Sequence, residues 1–186
     1  MDLLFPDAIS AYTAILSVVT AVLVLAACIQ IWQTGILQRA YLRVEPRGVT
    51  TINDGLVFIG QIAIVNVGHL PARKVSNEIS ICWWPDKELS QFPDLTITPR
   101  DMILPVQAEM PRGTREDGLS PTNLLQVGAK KGHIYVFGKI EYLDGFSCKK
   151  RWLTFCHRYN CKAPRRSDGG ISHCYARLHH HHNDGN

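Results

Sequence analysis

AISAYTAILSVVTAVLVLAACI, running from Ala8 to Ile29, contains no Asp, Glu, Lys, Arg or His. As an α-helix a stretch of that length rises about 33 Å, close to the ~30 Å hydrocarbon core of a bilayer. Its polar exceptions are Ser10, Thr13, Ser17 and Thr20, whose hydroxyls can bond the carbonyl one turn back. Pro6 and Asp7 precede the run; a fixed φ and a negative charge both suit a helix start. Tyr12 and Trp32 stand near its two margins, where interfacial aromatics belong. The spacing predicts a membrane-spanning helix over 8–32, with 1–7 a short N-terminal segment and 33–40 a juxtamembrane linker.

Two other readings of the same stretch are weaker. A cleaved signal peptide has a positive leading region and an apolar core of about 7–15 residues, whereas MDLLFPD carries two acids and no base. Leu25-Ala26-Ala27-Cys28 has the form of a lipobox, which would anchor a lipoprotein at Cys28. The apolar run continues past it through Ile29 and Ile31 to Trp32, so Cys28 reads more simply as a small apolar residue of the helix. No Lys or Arg precedes the span, and Arg39, Arg43 and Arg47 follow it. Basic residues collect on the cytoplasmic side, which places the remainder of the chain there. In that compartment Cys82, Cys148, Cys156, Cys161 and Cys174 are expected as reduced thiols.

Beyond Arg39 the pattern changes. The whole chain is 46% hydrophobic and 19% charged, which excludes a disordered polypeptide. Ten prolines and fourteen glycines follow no repeat, which excludes collagen-like or solenoid order. Val75, Asn77, Ile79, Ile81 and Trp83 alternate with Lys74, Ser76, Glu78, Ser80 and Cys82, as in a strand with one face buried. Leu56–Ile59 and Ile62–Val65 are β-rich and apolar on both faces. Asn66–Pro71 reads as a loop. Asp144-Gly145 favours a two-residue type I′ turn, predicting a hairpin of 133–143 with 146–156. That register sets Phe137 against Trp152, Tyr135 against Thr154, Val136 against Leu153, Ile134 against Phe155 and Lys139 against Lys150. The Ile134/Val136/Leu153/Phe155 face is then the core face. Six of the ten prolines fall in 85–121, barring a central strand there; Asp94–Thr98 and Met102–Val106 are expected as short edge strands. Ser120-Pro121 through Gly128 reads as one short helix. The expected fold is mainly β: an Ig-like antiparallel sandwich over 41–160 behind the membrane helix.

Ala40–Pro46 (AYLRVEP), Asn66–Val75 (NVGHLPARKV) and Phe155–Asn160 (FCHRYN) together resemble a family of uncharacterised single-span bacterial membrane proteins. The resemblance implies an N-terminal membrane helix, a β-sandwich and a variable tail, in the bacterial inner membrane. It attaches no activity, substrate or catalytic residue.

Charge is unevenly spread. Residues 39–144 balance twelve bases against twelve acids, while 145–186 hold eight against two. The same C-terminal part carries six of the eight His and four of the six Cys. A basic Cys/His-rich tail over 161–186 is therefore expected, largely disordered. Lys149-Lys150-Arg151 and Arg165-Arg166 suit anionic lipid headgroups. No groove-tracking arrangement of bases and aromatics points to nucleic acid. A zinc site would draw on Cys156, Cys161, Cys174 and His173, the loosest acceptable spacing, with His133 facing Cys156 in the proposed register. Without it no cofactor is expected. Cys156 and His157 are neighbours on a strand and point apart, so they cannot act as nucleophile and base. No phosphate-binding, hydrolase-elbow or metalloprotease motif occurs. The sequence thus predicts a non-enzymatic, membrane-anchored binding or assembly module whose partners are the bilayer and a protein it does not name. A metal- or redox-responsive membrane protein is the alternative.

Overall fold

A computed structural model of the chain describes residues 5–52, 57–85, 92–93, 95–114, 119, 121–145, 149–167, 169–179 and 183–185. These fall into two units, 1–39 and 40–186. The first is a single helix, α1 (Phe5–Leu37). It starts before the predicted span and runs five residues past it, so the linker shrinks to the few residues before the first strand. Ser17 and Thr20 donate their hydroxyls to the carbonyls of Thr13 and Leu16, each at 2.8 Å. The two hydroxyls are thus satisfied without water, which a helix in lipid requires.

The second unit is built from β1 (Leu42–Ile52), β2 (Val57–Asn66), β3 (Arg73–Trp84), β4 (Glu109–Gly113), α2 (Pro121–Gly128), β5 (His133–Leu143), β6 (Lys150–Asn160) and β7 (Ala176–Leu178). All strand pairs are antiparallel. One sheet has the order β1-β2-β4, the other β3-β5-β6-β7. Val49, Phe58, Ile62 and Ile64 of the first sheet meet Val75, Ile79, Ile81, Ile134, Val136, Ile140, Phe155 and Tyr159 of the second in one core. This is a sandwich with a helix before it, as the alternation of apolar residues predicts. The two β-rich runs around Phe58 and Ile64 form one strand, and Leu56 lies outside the described residues. In the proline-rich stretch the strand is β4, containing Pro111, rather than Asp94–Thr98 or Met102–Val106. It lies at a sheet edge, where a missing N–H costs nothing. Leu104 makes only an isolated bridge to Ala72, and Asp94 lies outside the described residues. The short helix appears as α2; its expected cap, Ser120, is also outside them.

The hairpin register differs from the expected one by four residues. Phe137 pairs with Cys156, Tyr135 with Arg158, Val136 with His157 and Ile134 with Tyr159. Pairing ends at Leu143–Lys150, and the Asp144 N–H donates to the Lys149 carbonyl at 3.0 Å. An even slip keeps every side chain on its predicted face, so Ile134, Val136 and Phe155 still point into the core. The two-residue turn loses because it would carry His157 and Tyr159 beyond the end of β5. In the observed register both are buried. Gly138 then faces Phe155, whose ring occupies the space a Cβ there would need, at 2.6 Å. Lys139 opposes Thr154, and both Lys139 and Lys150 bind Glu141, at 3.1 and 2.8 Å. The Lys150 hydrogen bond, chiefly, holds the Glu141 carboxyl below its usual range.

The tail is the larger correction. Residues 161–167 and 169–179 are not a loose appendage. Cys161, Ala163, Ile171 and His179 are buried. Ile171 exchanges backbone hydrogen bonds with Val49 of β1, at 2.7 and 2.9 Å, and β7 extends the second sheet beyond β6. The tail therefore straps an edge of one sheet to an edge of the other. Gly48 makes room for it: its φ is +103°, and a Cβ there would stand 2.6 Å from the Ile171 carbonyl. Past His179, Thr154 receives the Asp184 N–H on its hydroxyl at 3.0 Å and gives its own N–H to the Asp184 carbonyl at 2.7 Å. Strap contacts of this kind have no sequence periodicity, so the composition of 161–186 misled.

Candidate membrane-facing site

The helix unit is long enough for its task. Ser10–Gly35 is free of charge and none of its most apolar window is buried inside the chain. At 1.5 Å per residue that stretch covers about 39 Å, which crosses ~30 Å of hydrocarbon with tilt to spare. Cys28 is an exposed position within the unbroken helix.

In the sandwich, one end is organised around Asn66, a fully buried amide. Its Nδ2 donates to the carbonyls of Leu70 (2.8 Å) and Leu104 (3.2 Å), and its Oδ1 accepts the Gly68 N–H (3.0 Å). Its backbone N–H donates to Ala108 and its carbonyl accepts from Gln107. A buried amide with every group paired fixes local structure tightly. Around it the loop 66–71 is held beside 103–107, with Ala72 and Leu104 exchanging hydrogen bonds at 3.0 and 2.9 Å. The Val67 N–H donates to the Tyr41 carbonyl at 2.8 Å, tying the start of the unit to the same end. The β5–β6 loop also arrives here: Arg73 pairs with Leu143, and a Cβ on Gly145 would lie 2.7 Å from the Pro71 carbonyl.

This end shows water an apolar rim: Tyr41 (36% exposed), Val67 (51%), Ile103 (64%) and Val106 (39%). Arg73, Lys74 and Lys149, at the start of β3 and just before β6, are exposed at the same end. Lys74 holds a φ of 51° at the β3 bulge. Three acids near the rim are paired. Asp144 is buried and accepts the Arg151 Nε at 3.3 Å, while Glu45 pairs with Arg43 and Glu109 with Arg47. Of the three arginines picked from the sequence, Arg43 and Arg47 are therefore neutralised on the outer face of the first sheet. The excess charge at this end comes instead from Arg73, Lys74 and Lys149; of these the sequence singles out Lys149, within Lys149-Lys150-Arg151, whose other two bases pair with Glu141 and Asp144.

The Cys and His residues proposed for zinc are scattered. Cys156 lies on the outer face of the second sheet in a small cluster with Tyr135 and Phe137, against Cys82, Phe92 and Leu95. Cys161 belongs to the main core. His173 and Cys174 are exposed in a short 3₁₀ turn, where the thiol meets Ser172 Oγ at 3.4 Å. His133 pairs with Asn160, not Cys156. Among the described residues no three His, Cys, Asp or Glu side chains gather as a metal site. Burial pushes the Cys82 thiol up to about 12 and raises that of Cys156 as well, so neither is a ready thiolate. β5 separates their strands; two inter-strand steps of about 4.8 Å exceed the Cα span of a disulfide. His157 points inward beside Phe155, ring centroids 5.7 Å apart, away from Cys156. Burial brings its pKa down to about 4, leaving a neutral imidazole.

Compared with family models, curated proteins and solved structures, the chain finds no match.

Proposed function

We propose that this is a single-span membrane protein of the bacterial inner membrane, and that its sandwich is a non-enzymatic binding or assembly module on the cytoplasmic side. The observation that carries the reading is the helix: apolar on every side, uncharged from Ser10 to Gly35 and exposed from Ser10 to Thr34. Such a surface is stable only in lipid. Orientation rests on Arg39, Arg43 and Arg47 following the helix with no base before it. The rule counts bases rather than net charge, so the ion pairs of Arg43 and Arg47 do not weaken it. Strand order supports an Ig-type sandwich. Lettered in chain order, β1-β2-β4 and β3-β5-β6 take the places A-B-E and C-F-G; among the described residues there is no strand D, and β7 is extra. Membership in the uncharacterised single-span family belongs to the same proposal.

The metal- or redox-responsive alternative has to work with His173 and Cys174, since Cys156 and Cys161 are buried in different clusters. A lipoprotein anchored at Cys28 would need the chain cut in the middle of α1. Labelling of Cys174 in intact cells decides the topology. The expected result is no reaction with a membrane-impermeant maleimide until the inner membrane is opened, with the full-length protein pelleting with membranes through a carbonate wash. Full-length protein left in the wash would sink the proposal.

A further inference from the structure

We propose that the Asn66 end of the sandwich is a docking face for the anionic headgroup surface of the bilayer that α1 enters. The inference rests on the membrane-anchor reading and extends it to the soluble unit. Three observations converge on this end. Its rim is apolar where water would favour polar residues: Tyr41, Val67, Ile103 and Val106. Exposed Arg73, Lys74 and Lys149 stand at this same end, at the start of β3 and just before β6, whereas the acids Glu45, Glu109 and Asp144 are each held by an arginine. Asp101 is also exposed and sits beside Met102, whose carbonyl accepts the Val75 N–H just inside the rim. Apolar tips beside exposed bases are what an anionic membrane surface selects, the tips entering the interface and the bases meeting phosphates.

The chain itself supplies proximity. Three peptide units join Leu37 of α1 to Ala40, so their Cα atoms are at most about 11 Å apart. Tyr41 follows directly and holds Val67 through its carbonyl. A tether that short gives the rim a high local concentration of lipid, and weak contacts suffice. The Asn66 hydrogen bonds keep the loops in place, so docking orders little new backbone.

The test uses the full chain in vesicles, with nitroxides at Val67→Cys, Leu125→Cys and Val22→Cys in turn. Cys28→Ala, Cys148→Ser and Cys174→Ser form the background. Leu125 is on α2, ahead of the opposite end of β5, and is 75% exposed. In vesicles rich in phosphatidylglycerol, the Val67 label is expected to be reached by oxygen and shielded from a water-soluble nickel complex, and the Leu125 label the reverse. Combining Arg73→Glu, Lys74→Glu and Lys149→Glu should return the Val67 label to water, with about a fivefold loss of contact per base. A lipid-buried Val22 label with a Val67 label as wet as that of Leu125 overturns docking alone. A wet Val22 label overturns the anchor and docking with it. Equal shielding of Val67 in phosphatidylcholine, unmoved by charge reversal, overturns the headgroup recognition. Shielding from oxygen and nickel alike shows a second copy on the rim and overturns the lipid assignment.

Discussion

Two stretches of this chain are apolar on all sides, and they end in opposite surroundings. In α1 the side chains of Val18, Val19, Val22, Leu23 and Leu25 stand exposed. In β5, Ile134 to Gly138 are all buried. The first sheet covers one face of β5, and the other is covered by Phe92 and His179, whose rings lie 4.9 Å from Phe137 and 5.3 Å from Tyr135. All-round apolarity therefore says only that a cover is needed. Five strand residues span about 16 Å, which two layers of the same chain clothe, whereas Ser10–Gly35 runs for 26 residues with none of its most apolar window buried inside the chain.

The sharpest way to break that contrast is to remove a side chain from the less obvious cover. Phe137→Ala opens a hole in the outer cluster and should cost about 3–5 kcal/mol, read as a lower denaturation midpoint for the sandwich in detergent. A loss below about 1 kcal/mol would mean that Phe92 and the tail merely lie over the sheet. At the other stretch, Leu23→Arg places a charge near the middle of the helix. The expected penalty is about 2.5–3.5 kcal/mol of insertion, seen as a shift from the pelleted to the soluble fraction, with the unfolding midpoint of the sandwich unchanged.

Acidification probes the inner cover. His157 is buried with its pKa down to about 4, while the unfolded chain binds that proton near 6.5. Between those values the unfolded state carries more protons, so stability falls as pH drops through the window and is fully present above it. The shift corresponds to about 3 kcal/mol at its acid limit. His157→Gln should flatten the pH dependence of the midpoint between 6.5 and 4; a slope equal to that of the wild type would show that the imidazole reaches water.

What was legible in the sequence followed from periodicity. β3 was readable because Val75, Asn77, Ile79 and Ile81 alternate, and they are buried as that alternation requires. α1 was readable from composition and length. The hairpin was readable in its faces and not in its register. Asp144-Gly145 is a local turn signal, and the burial of Tyr159 three residues beyond the expected strand end outweighed it. Asp144 serves instead as the buried partner of Arg151. The strap was illegible for a different reason: one bridge, Ile171 to Val49, and a three-residue strand carry it, too little chain to show a period. The Asn66 end was legible only in pieces. Loop 66–71, the proline-rich 103–107 and the bases at 149–151 are far apart in sequence, and the strand order alone brings them to one rim.

The smallest expected effect is the most discriminating for the comparison. Leu→Ala in a packed core costs about 2–5 kcal/mol because the cavity left behind cannot close. Leu23 is 64% exposed within the chain, so Leu23→Ala removes contacts that lipid makes in the folded and unfolded sandwich alike. The midpoint of the sandwich should stay within about 0.3 kcal/mol of wild type, and insertion should weaken by about half a kcal/mol. Were the midpoint to fall by a core-like amount, α1 would be clothed by protein, either the sandwich or a second copy. Repeating the measurement over a tenfold range of protein-to-detergent ratio separates the two, because only the second cover depends on concentration.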